Sequence, residues 1–141
     1  MKMGTDIPIQ PAQSETDRIA ALKQHLTTKF SVAPEYIKVV RAPLRISPIG
    51  AHIDHQLGHV TGLTIDRTLL LAFAPTDDQS IQIESLNFSP GLSFQLDQVP
   101  DYIPHDWGNY IRGAVLALQQ QHALQHGVVG CISGEMPGPL A

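Results

Sequence analysis

Residues 41–66, RAPLRISPIGAHIDHQLGHVTGLTID, set the tightest condition on the fold. The stretch interleaves Arg41, Arg45, Asp54, Asp66 and the histidines 52, 55 and 59 with Pro43, Pro48, Gly50 and Gly58. Strand-like residues flank it. Ile37–Arg41 (IKVVR) is β-branched and short, and Thr68–Ala74 (TLLLAFA) is a continuous apolar run that predicts a strand buried on both faces. The fold must therefore carry a polar, backbone-bending loop between two strands. Rigid elements of that kind position a loop while the loop reaches a ligand. Its prolines keep the backbone out of a regular ladder, and its glycines permit sharp turns.

The rest of the chain predicts alternating helix and strand. Residues 1–13 are polar with two prolines and form the expected flexible lead-in. Ser14 followed by Asp17 is a helix-capping pattern, and Ile19, Leu22, Leu26 and Phe30 then fall on one helical face. The helix should end near Phe30, and Pro34 prevents its return. Pro75, Asp77 and Asp78 close the apolar strand in a turn. Ser80–Leu86 and Leu92–Leu96 alternate as half-buried strands, which suggests an antiparallel meander. After a loop at 98–106, Asp106 can cap a second helix from about Trp107 to about His126. Ile111, Ala114, Val115 and Leu118 form its apolar stripe, and Gly127 sits where a C-terminal glycine belongs. Gly127–Ser133 (GVVGCIS) predicts a last strand, and GEMPGPLA follows as a loop.

Composition narrows the functional classes. The chain has 141 residues, 43% of them hydrophobic and 16% charged, enough for one globular domain with a core. A net charge of −4 argues against a nucleic-acid partner. One cysteine, Cys131, cannot form an internal disulfide. The first residues lack the apolar core of a signal peptide, and no apolar run approaches the ~20 residues that span a bilayer, so a cytoplasmic protein without a membrane partner is expected.

Residue chemistry alone leaves alternatives open. His52, Asp54, His55 and His59 are metal-ligand types, so the loop HIDHQLGH could serve a metal-dependent hydrolase. Against this, the further His-x-His of two-metal hydrolases is replaced by Ile49, Gly50 and Ala51. The plainer account is that these side chains hydrogen-bond local backbone. Arg45 suits a phosphate or a carboxylate, and equally a structural ion pair with Asp54. Trp107 and Tyr110 could cover a base or fill the core. Ser133, Gly134, Pro137 and Gly138 follow a strand, where backbone N–H groups can face phosphate.

Taken in order, these segments resemble the N-terminal part of the GHMP family of small-molecule kinases, in the galactokinase branch. Ala42, Pro43, Arg45, Ile49, Gly50, His52 and Asp54 match, in register, the branch signature A-P-G-R-x-N-x-I-G-E-H-x-D-Y. WGNYIRG (107–113) is similar to a second segment of the branch. ISGEMPG (132–138) resembles the approach to its phosphate loop, which ends G-L-S-S-S-A. Leu44, Ser47, Ala51 and His55 replace the branch's Gly, Asn, Glu and Tyr. That glutamate is understood to contact the hydroxyl on C6 of the sugar. Ala51 removes its negative charge and His55 adds a group able to carry a positive one, so a sugar with a carboxylate at C6 would be tolerated. In this the string SPIGAHIDHQLG closely resembles the galacturonokinases, which phosphorylate galacturonate on the anomeric oxygen.

The resemblance implies an α+β fold of the GHMP kinase N-terminal type, a mixed or antiparallel sheet with helices on one side, over residues 14–141. It implies phosphoryl transfer from ATP with Mg2+ to a sugar or sugar acid, galacturonate or galactose. Arg45 would stabilise the transferring group or lower the pKa of the attacking hydroxyl. Ala51, His52, Asp54 and His55 would shape the sugar site. Ser85, Trp107, Tyr110, Gly134, Pro137 and Gly138 would lie near the nucleotide. The family's serine-rich loop and catalytic aspartate have no counterpart here, so the resemblance implies a portion truncated at the phosphate loop, inactive by itself and dependent on the rest of the kinase. The competing expectations are a non-catalytic sugar-binding or regulatory relative and the metal-dependent hydrolase.

Overall fold

A computed structural model describes residues 13–50 and 52–135. Its first helix, α1, spans Glu15–Phe30. The Ser14 hydroxyl accepts from the Asp17 N–H at 3.1 Å and donates to the Asp17 carboxylate at 2.7 Å, which satisfies an end donor as the capping pattern predicts. Leu22 and Leu26 are fully buried, with Ile19 and Phe30 packed beside them. Ser31, at φ 55, ends the helix, and Pro34 opens a 3-10 turn, Pro34–Tyr36.

The strands are β1 (Lys38–Ile46), β2 (Leu63–Thr76), β3 (Ser80–Ser85), β4 (Leu92–Gln95) and β5 (Gly127–Gly134), and the second helix, α2, is Asn109–Gln119. Among the described residues they form a mixed sheet in the order β1-β2-β5-β3-β4. The expected meander is corrected here. The last strand enters between β2 and β3, antiparallel to β2 and parallel to β3, with Ile81 beside Val128 and Ser85 beside Ile132.

The reason lies in which strand can be apolar on both faces. That strand is β5, not β2. In β2, Thr68, Leu70, Ala72 and Ala74 are buried, but Leu71 and Phe73 are half-buried and Leu69 is 37% exposed. In β5, Cys131 joins Leu22, Leu26, Leu70 and Ala72 under α1, while Val128 and Ile132 join Ile81, Ile83 and Val115 under α2. Successive strand residues point to opposite faces. The two helices therefore cover opposite faces of the sheet. The mixed α+β fold stands as expected; the placement of both helices on one side does not.

Three boundaries also move. β1 runs on through Pro43, with a register shift between Pro43 and Arg45. It is the edge strand, where a missing N–H is tolerated. α2 begins after Asp106 and Trp107, with Gly108 as its N-cap, and stops at Gln119. Beyond Leu118 the sequence QQQH offers no apolar residue to continue the stripe, and Gln119 turns its amide to the Leu96 carbonyl at 2.6 Å. Gly127 opens β5 instead of closing α2. A β-carbon there would collide with the Ser80 and Asp78 carbonyls, so the close strand crossing requires glycine.

Candidate active site

The polar stretch is a loop from Ser47 to Gly62 at the tip of the β1–β2 pair, whose last partners are Ile46 and Leu63. Its backbone is closed on itself. Thr61 N–H donates to the Ile49 carbonyl at 3.0 Å, and its hydroxyl accepts from Ile49 N–H at 3.2 Å. Gly50, at φ +83, lies against the His59 carbonyl, and its own carbonyl accepts from Ile53 N–H at 3.2 Å. Ile53 O then accepts from Gln56 at 3.1 Å and from Gly58 at 3.0 Å, around the 3-10 turn Asp54–Gln56. Because backbone meets backbone, His52, His55 and His59 are left exposed to solvent. The ring of His55 lies 3.1 Å from the Gln56 amide nitrogen. Arg45 is exposed at the end of β1, and its guanidinium donates to the Ser47 hydroxyl at 2.7 Å. Ala51 and the side chain of Asp54 lie outside what is described, as do Pro137 and Gly138.

The sheet brings the other expected residues to the same end. β1, β3 and β5 run in one direction, so Ile46, Ser85 and Gly134 are all strand ends there, and β2 and β4 start there. Strands are spaced about 4.8 Å apart, which sets the β5 exit about 10 Å from either edge strand. β1 and β2 continue as a two-stranded arm, since Gly134 pairs with Leu69 whereas β2 starts at Leu63, where the loop ends. The arm carries the loop about 20 Å along the strand direction past Gly134, at roughly 3.3 Å per residue.

Ser85 is half-buried and its hydroxyl accepts from the N–H groups of Asn87 and Phe88, each at 3.2 Å. That turn aims the Asn87 side-chain amide oxygen (Oδ1) at Gly134, whose N–H donates to it at 2.7 Å. Trp107 and Tyr110 part company. Trp107 packs against the core cluster of Ile81, Ile83, Phe94 and Val115 and donates its indole N–H to Pro90 O at 3.1 Å, while Tyr110 is 83% exposed.

Two polar nodes escaped the sequence reading. Arg112, buried in α2, donates to Asp106 at 2.7 Å and Asn109 at 2.8 Å. The Arg112 hydrogen bond, with the Gly108 N–H behind it, holds the Asp106 carboxyl below the ordinary range. Arg18 is buried at the start of α1 and reaches Thr68, Ser133 and Glu135. Its signal was present: Arg18 stands four residues before Leu22 and eight before Leu26, on their buried face. Among the described residues, no group of three His, Cys, Asp or Glu side chains could hold a metal ion, and no helix is long and apolar enough to cross a membrane.

Comparison with known proteins gives this end of the sheet a context. Residues 24–75, which include both arm strands and the loop, match the galactokinase galactose-binding signature. The chain is 38% identical to the galacturonokinase of Arabidopsis thaliana over 70% of its length, but spans 27% of that protein. Lactococcus lactis galactokinase, solved in complex with galactose, superposes with a TM-score of 0.75 at 25% identity, over 85% of this chain and 31% of that one. Mevalonate kinase of Methanococcus jannaschii shares the fold at a TM-score of 0.53 and 16% identity, over 74% of this chain and 33% of its own. The signature over the loop, the sequence shared with galacturonokinase and the sheet shared with galactokinase place this chain in the galactokinase branch of the GHMP kinase family.

Proposed function

We propose that these residues are the sugar-holding N-terminal portion of an ATP-dependent kinase that phosphorylates galacturonate, or galactose, at the anomeric hydroxyl. The observation that carries this reading is the convergence at one sheet end. The exit of β5 and the turn beneath Ser85 lie there, with the start of α2 tied to Pro90, and the β1–β2 arm carries the signature loop out beyond the same end.

In this reading His52, Asp54 and His55 hold the sugar, and Ala51 admits a carboxylate that the family's glutamate would repel. Arg45 stabilises charge on the transferring phosphoryl group. Its hydrogen bond to Ser47 fixes the guanidinium at the base of the loop. Ser85, Trp107 and Tyr110 belong to the nucleotide side, and Gly134, Pro137 and Gly138 to the phosphate segment. ATP supplies the phosphoryl group. Mg2+ would accompany ATP and offset the charge on its phosphates. Val40 and Leu69 stand exposed on the β1–β2 face away from α1, a surface suited to the remainder of such a kinase.

The test is a coupled ADP-release assay on the full-length protein that carries this sequence, with galacturonate and galactose as acceptors. Turnover of either is expected, with galacturonate preferred, and none from the 141-residue chain alone. A full-length protein that binds sugar without releasing ADP would be a non-catalytic relative instead.

A further inference from the structure

Ile46 and Leu63 are the last residues of β1 and β2 that pair in register. Carried three residues further along each limb of the loop, that register would set Ile49 against Val60. Instead Ile49 meets Thr61, one residue out of step. The Thr61 N–H donates to the Ile49 carbonyl at 3.0 Å. In a regular antiparallel pair the return bond runs from backbone N–H to backbone carbonyl. Here the Ile49 N–H donates to the Thr61 hydroxyl at 3.2 Å, and that hydroxyl lies 3.4 Å from the Ile49 carbonyl as a second donor to it. A side chain has taken over the acceptor that the ladder supplies elsewhere.

The turn that carries the histidines hangs from this junction. Ile49 leads directly into Gly50, whose carbonyl accepts from the Ile53 N–H at 3.2 Å, and the Ile53 carbonyl accepts from Gln56 and Gly58. His52 and His55 stand on that turn, inside the span of the galactose-binding signature. A hydrogen-bonded path therefore runs from Thr61, just before β2, through Ile49 and Gly50 to the histidine turn. Valine would match the shape of threonine on extended backbone, so the hydroxyl is what this position requires. We propose that Thr61 is a positioning residue for sugar binding, its hydroxyl closing the neck of the loop so that the histidine turn meets the sugar. The proposal rests on the kinase reading above for the identity of that sugar. Thr61 is exposed and belongs to neither apolar cluster, so replacing it leaves both cores intact.

The experiment compares Thr61→Val, Thr61→Ala and Thr61→Ser in the full-length protein, by steady-state kinetics and by calorimetric titration with galacturonate and galactose. Thr61→Val is expected to raise the KM and the dissociation constant for sugar by about tenfold, the scale of one or two lost hydrogen bonds, with the KM for ATP moved less than about twofold. Thr61→Ala carries the test if Thr61→Val does not fold, with the same result expected. Thr61→Ser restores the hydroxyl and should return the sugar KM to within about twofold of the wild type. A merely structural role would lower kcat through a smaller active fraction and leave both KM values alone. That outcome would overturn the proposal, as would equal losses for sugar and ATP, or a Thr61→Ser variant no better than Thr61→Val. Turnover by the wild type with an unchanged sugar KM in Thr61→Val and Thr61→Ala would overturn the positioning role and leave the kinase reading standing. Sugar binding that depends on the Thr61 hydroxyl without ADP release would refute the kinase reading and leave the positioning role standing. A wild type that binds neither sugar would overturn both.

Discussion

Gly50 and His59 meet back to back across the 47–62 loop. A β-carbon on Gly50 would fall deep inside the contact distance of the His59 carbonyl oxygen, and the residue holds φ +83. Two penalties therefore coincide on one residue, a left-handed backbone costing roughly 1–2 kcal/mol for a residue with a side chain and a collision with backbone that cannot swing away. Gly50→Ala should reopen the loop where Ile49 and Thr61 close it. In the full-length protein the expected result is sugar affinity weakened by about tenfold or more, with ATP affinity retained. Calorimetric titration with each ligand measures it. Intact sugar binding would show that loop geometry does not set the site.

Trp107 and Tyr110 give separable outcomes. The Trp107 indole N–H reaches Pro90 O and its ring packs with the α2 core, so Trp107→Phe, which keeps an aromatic ring, should cost stability of about 1 kcal/mol, the usual scale of one hydrogen bond, and weaken ATP less than Tyr110→Ala does. Tyr110 is exposed, and Tyr110→Ala should change stability by less than about 0.5 kcal/mol while weakening ATP. Chemical denaturation with ATP titration tests the pair. The reverse pattern would make Trp107 the nucleotide contact and Tyr110 the structural one.

The legibility of the fold followed the range of each signal. α1 was legible because its cap and stripe are local, and the Ser14–Asp17 contact and the burial of Leu22 and Leu26 follow directly. The strand GVVGCIS was legible as a strand, but not as the centre of the sheet. Nothing near residues 127–133 states that Ile81 will be its parallel neighbour, because a parallel partner is set by tertiary register and not by a turn. TLLLAFA misled in the opposite direction: its apolar run suggested two covered faces, and within the described residues one is left partly open. In the site, the loop's composition announced its importance. The node of Arg18, Thr68 and Glu135 did not, since its members lie in three separate segments and meet only when β2 and β5 pair.

Ala51 carries the argument about substrate by lacking a charge. If its small neutral side chain admits the uronate carboxylate, Ala51→Glu should restore repulsion. The galacturonate-to-galactose ratio of kcat/KM is then expected to fall by about a hundredfold, equivalent to about 3 kcal/mol of discrimination. Kinetics with both sugars on the full-length protein gives the ratio. A ratio that stays constant while both values drop would assign Ala51 a packing role and leave the uronate preference without a cause.

Cys131 tests the centre of the sheet. It is fully buried beneath α1, paired in register with Ala72 and Glu84. Burial, with the Glu84 carboxylate adding to it, pushes its thiol up to about 11. The neutral thiol is the form the fold accepts, so the folded value lies above the unfolded one of about 8.5. The sign follows from proton linkage: this contribution to stability is fully present below the unfolded value and is lost as pH rises toward 11. The full-length protein should therefore lose stability between pH 9 and 11 more steeply than a Cys131→Ala variant, which has no proton to lose there. At pH 8 an aromatic disulfide reagent should label Cys131 only through opening of the structure, and rapidly once urea unfolds it. Labelling of the native protein at the rate of a free thiol would mean that β5 is not the covered central strand described above.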